Sequence, residues 1–386
     1  VIDAEHMPLR LPVSDLIIDA AFGTGFRGEW SPPSTKGVPV LAVDIPSGID
    51  GLTGLAAPDT WQATRTVTFV ALKPGLLLGA GRALCGDVEL VDIGINLGMG
   101  NVDINEVERS DVSQWVPQRP FDSHKWKAAL YAVAGSSGMM GAANLCSASA
   151  MRAGAGIVHV ASPGIVSDRS TSTEIVRRAL PALGWSNEVL DDLSRFKAVV
   201  IGPGLGRDEG TVNEARKVIA GSHIPMVIDG DGLFAVAWGG EGARDIVRAR
   251  SAGTILTPHD GEFTTLLGYA PSHDRISSAR RLASDTNCVC LLKGTTTVVA
   301  EPSGEVLMVA NGDQRLATAG TGDVLAGIIG ALLAQGVEPF HAAASGAWIH
   351  GYAASLFTAN EGLIASDLVD LIPLALSHMR HVGVRD

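Results

Sequence analysis

One carboxylate, Asp323, stands between a glycine-rich turn and a long apolar run in the segment RLATAGTGDVLAGIIGALLAQG, residues 315–336. Successive backbone N–H groups in a Gly-Thr-Gly turn that leads into a helix form a concave site for anions. A carboxylate at this place can be a plain helix N-cap, and it can also accept a proton from a hydroxyl that attacks a bound phosphate. The segment alone is compatible with both interpretations.

A cation and several hydroxyl groups follow a second apolar run, in CVCLLKGTTTVVA. Lys293 and Gly294 end this run, and Thr295, Thr296 and Thr297 come next. One ammonium with several hydroxyl and amide donors suits a polyphosphate. The polar edge of a hairpin has the same composition, so this alternative stays open.

The segment TILTPHDGEF places His259 and Glu262 three residues apart, where they share one face at a helix start. We expect His259 to contact a substrate and Glu262 to hold a Mg²⁺-bound water. Glutamate in a first helical turn is also an ordinary capping residue.

Two glycine-rich loops follow buried strand candidates, in AVVIGPGLGRD and AVAGSSGMMGAANL. Glycine allows a ligand to approach the backbone closely, although it also serves tight turns and close helix packing.

Apolar runs that end in Gly, Pro, Asp or His alternate with helical segments after residue 125. This pattern predicts a mostly parallel sheet covered on both faces, with ligands bound beyond the carboxyl ends of its strands. The segment TTVVAEPSGEVLMVANG predicts a hairpin with Pro-Ser-Gly at the turn. The first hundred residues carry further strand candidates, of which TRTVTFVALKPGLLL and CGDVELVDIGI are expected to be buried. The polar, aperiodic stretch from about Asn96 to Lys125 predicts a junction, with domains at 1–105 and 121–386 and a linker at 106–120.

Composition restricts the function classes. The 386 residues suggest two domains, and the net charge of −12 argues against general nucleic-acid binding. The longest apolar stretch, Val324–Val337, is shorter than the roughly twenty residues needed to span a membrane. No signal peptide is evident at the start, and the absence of an initiator Met is compatible with a fragment. Four cysteines without C-x-x-C spacing are expected to be buried reduced thiols of a cytoplasmic protein.

The ordered motifs GPGLG, VIDGDGL, TPHDGE, LLKGTTTVV, NGDQRLATAGTGDVLAGIIGALLAQG and GAWIHGYAA resemble the ribokinase-like ADP-dependent NAD(P)H-hydrate dehydratases. The resemblance runs from about Phe121 to the carboxyl terminus and implies a three-layer αβα domain. Where the family has an aromatic or small-residue loop, this chain has Met139 and Met140.

The stretches IIDAAFGTGF and VDIPSGIDGLTG are similar to the second half of the NAD(P)H-hydrate epimerase domain, of YjeF type. This implies a partial Rossmann-like domain ahead of the ribokinase-like one. The family's Asn-Gly-Gly-Asp-Gly turn does not precede Val1, so the expected activity is dehydration, and epimerase activity is left open.

By this resemblance, the hydroxyl of NADH or NADPH hydrate is phosphorylated from ADP and then eliminated as phosphate. Asp323 is the implied base, and the amides of Ala319 to Gly322 stabilise the transferring phosphoryl group. The implied contacts of the hydrate in this domain are Ala142, Gly204, His259 and Asp323. The implied nucleotide contacts are Lys293, Gly294, Thr295, Thr296, Thr297 and Gly322, with Mg²⁺ held through water by Glu262.

In the amino-terminal domain, the resemblance implies a loop for the phosphate of the hydrate and a K⁺ site. The loop consists of Gly23, Thr24, Gly25, Phe26, Arg27, Gly28 and Glu29. Asp44 is expected to contact the substrate, and Asp19 and Ser47 are expected to bind K⁺. We also expect a homo-oligomer without a nucleic-acid or membrane partner.

Two other functions share some of these features. A small-molecule kinase of the same fold, acting on a vitamin-precursor alcohol, has the same Gly-Thr-Gly-Asp site, and a non-catalytic dinucleotide sensor is a third possibility.

Overall fold

A computed structural model describes residues 1–96, 98, 102–165, 173–237, 239 and 241–380. The chain divides into two compact units, Val1–Val102 with Ser272–Arg275, and Asp103–Pro271 with Ile276–Asp386. Among the described residues, no helix is both long and apolar enough to cross a lipid bilayer. The four cysteines lie within these described ranges, are buried and form no disulfide, as predicted.

The amino-terminal unit contains a parallel sheet in the order β1-β2-β3-β4. Its strands are β1 (Ile17–Asp19), β2 (Val40–Val43), β3 (Arg65–Phe69) and β4 (Asp87–Val91). Two short helices, α1 (Pro74–Leu77) and α2 (Gly81–Leu84), lie between β3 and β4.

The expectation that the CGDVELVDIGI segment is buried is wrong. It forms β4, an edge strand whose residues are mostly exposed, and Leu90 is 50% exposed. An edge strand lacks a neighbour on one side, so apolar composition alone does not guarantee burial.

The second unit contains a ten-stranded sheet in the part of the chain described, in the order β5-β14-β13-β12-β11-β10-β9-β6-β7-β8. The strands are β5 (Ile104–Glu106), β6 (Ala129–Val133), β7 (Ile157–Pro163), β8 (Val176–Leu180), β9 (Ala198–Ile201), β10 (Met226–Ile228), β11 (Thr254–Leu256), β12 (Val289–Leu292), β13 (Thr297–Ala300) and β14 (Val306–Val309). The helices are α3 (Arg109–Trp115), α4 (Met140–Arg152), α5 (Ser186–Asp192), α6 (Glu209–Gly221), α7 (Asp231–Ala237), α8 (Glu241–Arg248), α9 (Asp260–Leu267), α10 (Arg275–Thr286), α11 (Thr321–Ala334), α12 (Pro339–Ser355) and α13 (Ala365–Arg380).

The centre of this sheet is parallel and covered on both faces, as the apolar runs predict. Every residue of β6, β9, β10, β11 and β12 is buried. Such strands need a layer of helices on each side, which gives the predicted αβα sandwich. The predicted hairpin is also confirmed, since β13 pairs antiparallel with β14.

The stretch 106–120, predicted as a linker, contains regular structure of the second unit. β5 pairs with β14 over Ile104–Glu106, and α3 begins with a reciprocal capping box between Glu108 and Asp111. Val112 of α3 is fully buried in the main core. The strand is short and its partner is about two hundred residues away, so no local periodicity reveals it.

Helix α11 holds the glycine-rich turn against the sheet. A Cβ at Gly327 would lie 2.1 Å from the backbone oxygen of Cys146 in α4, and one at Gly330 would lie 2.4 Å from Val200 in β9. Only glycine allows such close approach, so the apolar run GIIGALLAQG fixes α11 tightly between α4 and the strands.

Candidate active site

The predicted site residues of the second unit lie where its parallel strands end. β9, β10, β11 and β12 run side by side in parallel, so their carboxyl ends meet at one edge of the sheet. The residues that follow them are Gly202–Gly204, Asp229–Asp231, Thr257–His259 and Lys293. This is the edge at which open α/β sheets bind ligands.

Lys293 is held at the end of β12 by a buried carboxylate. Its Nζ donates a hydrogen bond of 2.6 Å to Oδ1 of Asp229, which is 3% exposed and also accepts one from Thr257. Burial lowers the pKa of Lys293, but the carboxylates of Asp229, Glu262 and Asp323 raise it by more, so the net shift is upward. Lys293 is therefore a fixed cation at this edge.

Asp323 is not the N-cap of α11. Gly320, with a φ of +91°, is the N-cap, and Asp323 is the third residue of the helix. It lies near Lys293, because a Cβ built at the adjacent Gly322 would be 3.4 Å from Lys293 Nζ. A half-buried carboxylate inside the first turn is thus available for another role.

The surroundings of Asp323 disfavour its ionised form. Burial raises its pKa first, and the charge of Asp229 raises it further. Lys293 acts in the opposite direction, while Asp231 and Glu262 add to the increase, and the resulting pKa is about 6. A carboxyl group with this pKa can take up a proton and release it again near neutral pH.

His259 and Glu262 form a reciprocal capping box at the start of α9. His259 Nδ1 accepts hydrogen bonds from the amides of Gly261 and Glu262, and Glu262 Oε2 accepts one from the amide of His259. Because Nδ1 is an acceptor, the ring proton is on Nε2. The His259 side chain is 61% exposed, and its Nε2 lies 3.6 Å from Oε2 of Glu262.

Ala142 and Gly204, both predicted to contact the hydrate, adjoin each other. A Cβ at Gly204, which has a φ of +58°, would lie 2.9 Å from Cβ of Ala142 and 2.8 Å from the backbone oxygen of Met139. The Met139 backbone therefore packs directly against Gly204, at the place where the family pattern differs. Helix α4, which contains Ala142, also contacts the glycine-rich turn, because a Cβ at Gly320 would lie 2.6 Å from Leu145 of this helix.

The predicted nucleotide segment, 293–297, joins β12 to β13. Gly294 and Thr295 are exposed and Thr296 is buried. Of the amides predicted to form an anion site, that of Thr321 donates to the oxygen of Thr318 at 3.3 Å. The first-turn amides of Gly322 and Asp323 are left without a partner inside the helix, as at any helix amino terminus.

A magnesium ion at this edge would depend on phosphate oxygens. Among the described residues, no cluster of three or more His, Cys, Asp or Glu side chains is placed to hold a metal ion directly. Glu262 is 15% exposed, and its Oε2 is occupied by the capping bond. Mg²⁺ commonly uses one or two carboxylates together with waters and substrate phosphates, which fits this donor set.

In the amino-terminal unit, the predicted K⁺ ligands Asp19 and Ser47 are in contact. Asp19 is 2% exposed and Ser47 is 1% exposed. Asp19 Oδ2 accepts from the Ser47 amide at 2.8 Å, and Asp19 Oδ1 accepts from the Ser47 hydroxyl at 2.6 Å. Buried carboxylate and hydroxyl oxygens are ligands that alkali cations accept.

Asp44 lies at the end of β2 and forms an ion pair that the sequence did not predict. Lys73 Nζ donates to Asp44 Oδ1 and, at 2.8 Å, to the oxygen of Phe69. Asp44 has a φ of +70°, and Val70, nearby in the same groove of about 520 Å³, has a φ of +67°. Strained residues other than glycine concentrate at functional sites.

The predicted phosphate loop, 23–29, is mostly exposed. Its glycines are open, and no atom lies within 4 Å of a Cβ built at Gly23, Gly25 or Gly28. Aromatic rings in tilted and edge-to-face contact anchor the loop, with Phe22 5.2 Å from Phe26 and 5.1 Å from Trp30 between ring centroids.

Sequence reasoning did not single out Asp229 and Asp231, which follow β10, or Lys73, which pairs with Asp44. The motif VIDGDGL contains two of them directly after a buried strand. The rule that polar residues at the carboxyl ends of parallel strands belong to the site would have found both aspartates.

Comparison with known proteins identifies relatives of both units. The sequence model described as NAD(P)H-hydrate dehydratase matches residues 130–374, and the model of the YjeF-related protein N-terminus matches residues 2–75. The bifunctional NAD(P)H-hydrate repair enzyme Nnr of Moorella thermoacetica is 36% identical, over 97% of this chain and 75% of that protein. Nnr of Mycobacterium leprae is 38% identical, over 95% of this chain and 75% of that protein.

Solved structures give the same result for the second unit. The ADP/ATP-dependent NAD(P)H-hydrate dehydratase of Bacillus subtilis, co-crystallised with ATP and Mg²⁺, is 27% identical, with a TM-score of 0.61 over 73% of this chain and all (100%) of that one. Bacillus subtilis YxkO is 26% identical, with a TM-score of 0.59 over 70% of this chain and 98% of that one. The chain therefore belongs to the family of bifunctional NAD(P)H-hydrate repair enzymes, with a ribokinase-like dehydratase unit and a YjeF-type amino-terminal unit.

Proposed function

We propose that the second unit dehydrates the 6S hydrate of NADH or NADPH, using ADP and releasing AMP and phosphate. The observation that carries this proposal is the position of Asp323, a half-buried carboxylate with a pKa of about 6 in the first turn of α11, beside the fixed cation Lys293. A base and an anion site adjoin there, as transfer of phosphate to a hydroxyl requires.

In the first step, Asp323 takes the proton of the ring hydroxyl while the oxygen of that hydroxyl attacks the β-phosphorus of ADP. The bond between the phosphorus and the bridging oxygen breaks, and AMP leaves with the electron pair. The amides of Gly322 and Asp323 and the ammonium of Lys293 stabilise the charge on the transferred group. When bound, Mg²⁺ would neutralise the phosphates, with Glu262 holding it through water.

In the second step, the bond between the ring carbon and the phosphate oxygen breaks, and phosphate leaves with the electron pair. A proton passes from the neighbouring ring carbon to solvent, and the electrons of that C–H bond form the ring double bond. Ala142, Gly204 and His259 position the ring, and the residues at 293–297 bind the nucleotide. His259 can donate its Nε2 proton to an acceptor on the hydrate, because its Nδ1 is occupied by the capping bonds.

The direct test is to incubate the protein with hydrated NADH, ADP and Mg²⁺ and to follow the absorbance of NADH at 340 nm. Recovery of absorbance with equimolar AMP and phosphate supports the proposal. A stable phosphorylated hydrate would instead indicate a kinase, and no reaction with ADP or ATP would contradict the proposal.

For the amino-terminal unit we propose a second site for the hydrate, with loop 23–29 at its phosphate, Asp44 at its ring and K⁺ at Asp19 and Ser47. The buried Asp19–Ser47 pair and the groove at Asp44 support this assignment. Calorimetric titration with hydrated NADH in K⁺ and in Na⁺ buffers tests it, using a catalytically inactive Asp323→Asn chain. Tighter binding in K⁺ that is lost on Asp19→Asn is the expected result, and equal binding in both buffers would refute the K⁺ site.

We further propose a cytoplasmic homo-oligomer. The free buried thiols suit a reducing compartment, and the exposed apolar residues of the edge strands, such as Ile18 at 63% and Leu90 at 50%, suit a subunit interface. Light scattering coupled to size-exclusion chromatography measures the mass, and a monomer mass near 40.0 kDa would contradict the oligomer.

A further inference from the structure

Arg207 belongs to the same edge of the sheet but has no role in the function described so far. It follows the GPGLG turn after β9, three residues beyond Gly204. Its side chain is 58% exposed, so it is accessible to a ligand.

The guanidinium of Arg207 is held in place from two sides. Its Nε donates a 2.6 Å hydrogen bond to Oδ1 of Asp231, and its Cζ lies 5.0 Å from the ring centroid of Phe234. The other oxygen of Asp231 accepts from the amide of Gly206 at 2.8 Å, which ties the turn to the start of α7. An exposed arginine with this support has lost most of its conformational freedom before any ligand arrives.

The terminal nitrogens of Arg207 remain available. In the part of the chain that the structure describes, the protein contacts of this guanidinium are those of Nε and the ring face, which leaves the N–H groups of Nη1 and Nη2 for another acceptor. Guanidinium groups bind phosphate through two parallel hydrogen bonds, and such charge-assisted bonds are about twice as strong as neutral ones.

The carboxylates of the site also favour a cation here. The charges of Asp229, Asp231 and Glu262 all raise the pKa of Asp323, and Lys293 is already paired with Asp229. A dinucleotide carries two negative charges on its pyrophosphate, so carboxylates alone would repel it.

We propose that Arg207 binds the pyrophosphate of the NAD(P)H hydrate and so selects dinucleotides, which rests on the dehydratase function proposed above. Gly204 and Ala142 contact the ring end of the hydrate, and Arg207 receives the phosphates that follow it. The nucleotide donor is bound elsewhere, at Lys293 and Gly322.

Steady-state kinetics on the full chain test this assignment. Arg207→Gln should raise KM for NADH hydrate about tenfold, with kcat and KM for ADP within twofold of the original values. Arg207→Lys, which keeps the charge but loses the paired hydrogen bonds, should give an intermediate KM for the hydrate. The wild-type KM for the hydrate should rise with salt more steeply than that of Arg207→Gln.

Arg281→Gln is the matched control, because Arg281 is 66% exposed and also pairs through Nε, with Asp285 at 2.8 Å, but on the surface of α10. It should leave all three constants unchanged. An unchanged KM for the hydrate in Arg207→Gln overturns the inference, as does an equal rise in KM for ADP or a loss confined to kcat. If the wild-type chain does not dehydrate the hydrate at all, the proposed function fails first, and the two failures are thus distinguishable.

Discussion

A carboxylate acts as a general base near neutral pH only if its surroundings hold its pKa close to that pH. Asp323 meets this condition because it is half-buried and shares its edge of the sheet with other carboxylates, of which Asp229 has the largest effect. The sequence located Asp323 but left two roles open, an N-cap and a base. The structure excludes the N-cap, since Gly320 has that position.

Asp323→Asn should lower the dehydration rate by about 10² or more, because the amide cannot take the proton of the hydroxyl. The measurement is the return of absorbance at 340 nm with ADP. Asp367→Asn is the control, since Asp367 is the third residue of α13, as Asp323 is of α11, and its carboxylate accepts a 2.9 Å hydrogen bond from the amide of Ile364. Full activity in Asp323→Asn would show that Asp323 is structural.

The pH dependence of the rate follows from the raised pKa of Asp323. The base must be ionised, so kcat should fall tenfold per pH unit below about pH 6 and level off above it. A profile of kcat between pH 4.5 and 8 checks this, with the fold monitored by circular dichroism. A rate that stays level down to about pH 4.5 would mean that a group with an ordinary carboxyl pKa is the base.

The raised pKa of Asp323 also predicts that the stability of the fold decreases as the pH rises, whereas the activity increases. Between about pH 3.8 and pH 6 the folded chain keeps a proton that the unfolded chain has released, so Asp323 destabilises the fold increasingly as pH rises through this window. Asp323→Asn should therefore raise Tm at pH 7.5 and leave it unchanged below about pH 4. An equal change in Tm at both pH values would contradict this linkage.

At the scale of elements, the sequence predicted the buried strands and the elements that are stabilised by local contacts. The apolar runs of β6 and β9–β12 are visible because both faces of these strands are covered. β5 and α3 were missed, because a three-residue strand and a seven-residue helix depend on distant partners. The candidate site also combines local and long-range features. The turn at Asp323 is local and was predicted, whereas Asp229 and Lys293 are far apart in sequence and pair only in the folded chain.

Glycine at the contact between α4 and α11 gives a prediction at this scale. Gly327→Ala places a Cβ 2.1 Å from the backbone oxygen of Cys146, which cannot move without shifting its helix. We expect a loss of about 1–3 kcal/mol in the free energy of unfolding, measured in urea. Gly242→Ala in α8 is the control, because its Cβ would have no atom within 4 Å and should cause no loss.

At the scale of the whole molecule, each of the two units contains its own candidate site residues. The contacts of the Asp44 carboxylate are with Lys73, Thr68 and Phe69, all of the amino-terminal unit. The Asp229 carboxylate accepts hydrogen bonds from Thr257 and Lys293, which are residues of the second unit. Each proposed site therefore draws these groups from the carboxyl ends of parallel strands in one sheet.

This arrangement predicts that dehydration does not require the groove at Asp44. Asp44→Asn should weaken binding of the hydrate at the amino-terminal site, because it removes the ion pair with Lys73, while kcat and KM for ADP-dependent dehydration of the 6S hydrate stay within about twofold. Calorimetric titration and the 340 nm assay on the same preparation measure the two effects side by side. A loss of dehydration comparable with that of Asp323→Asn would mean that the two sites act as one, and would contradict separate sites.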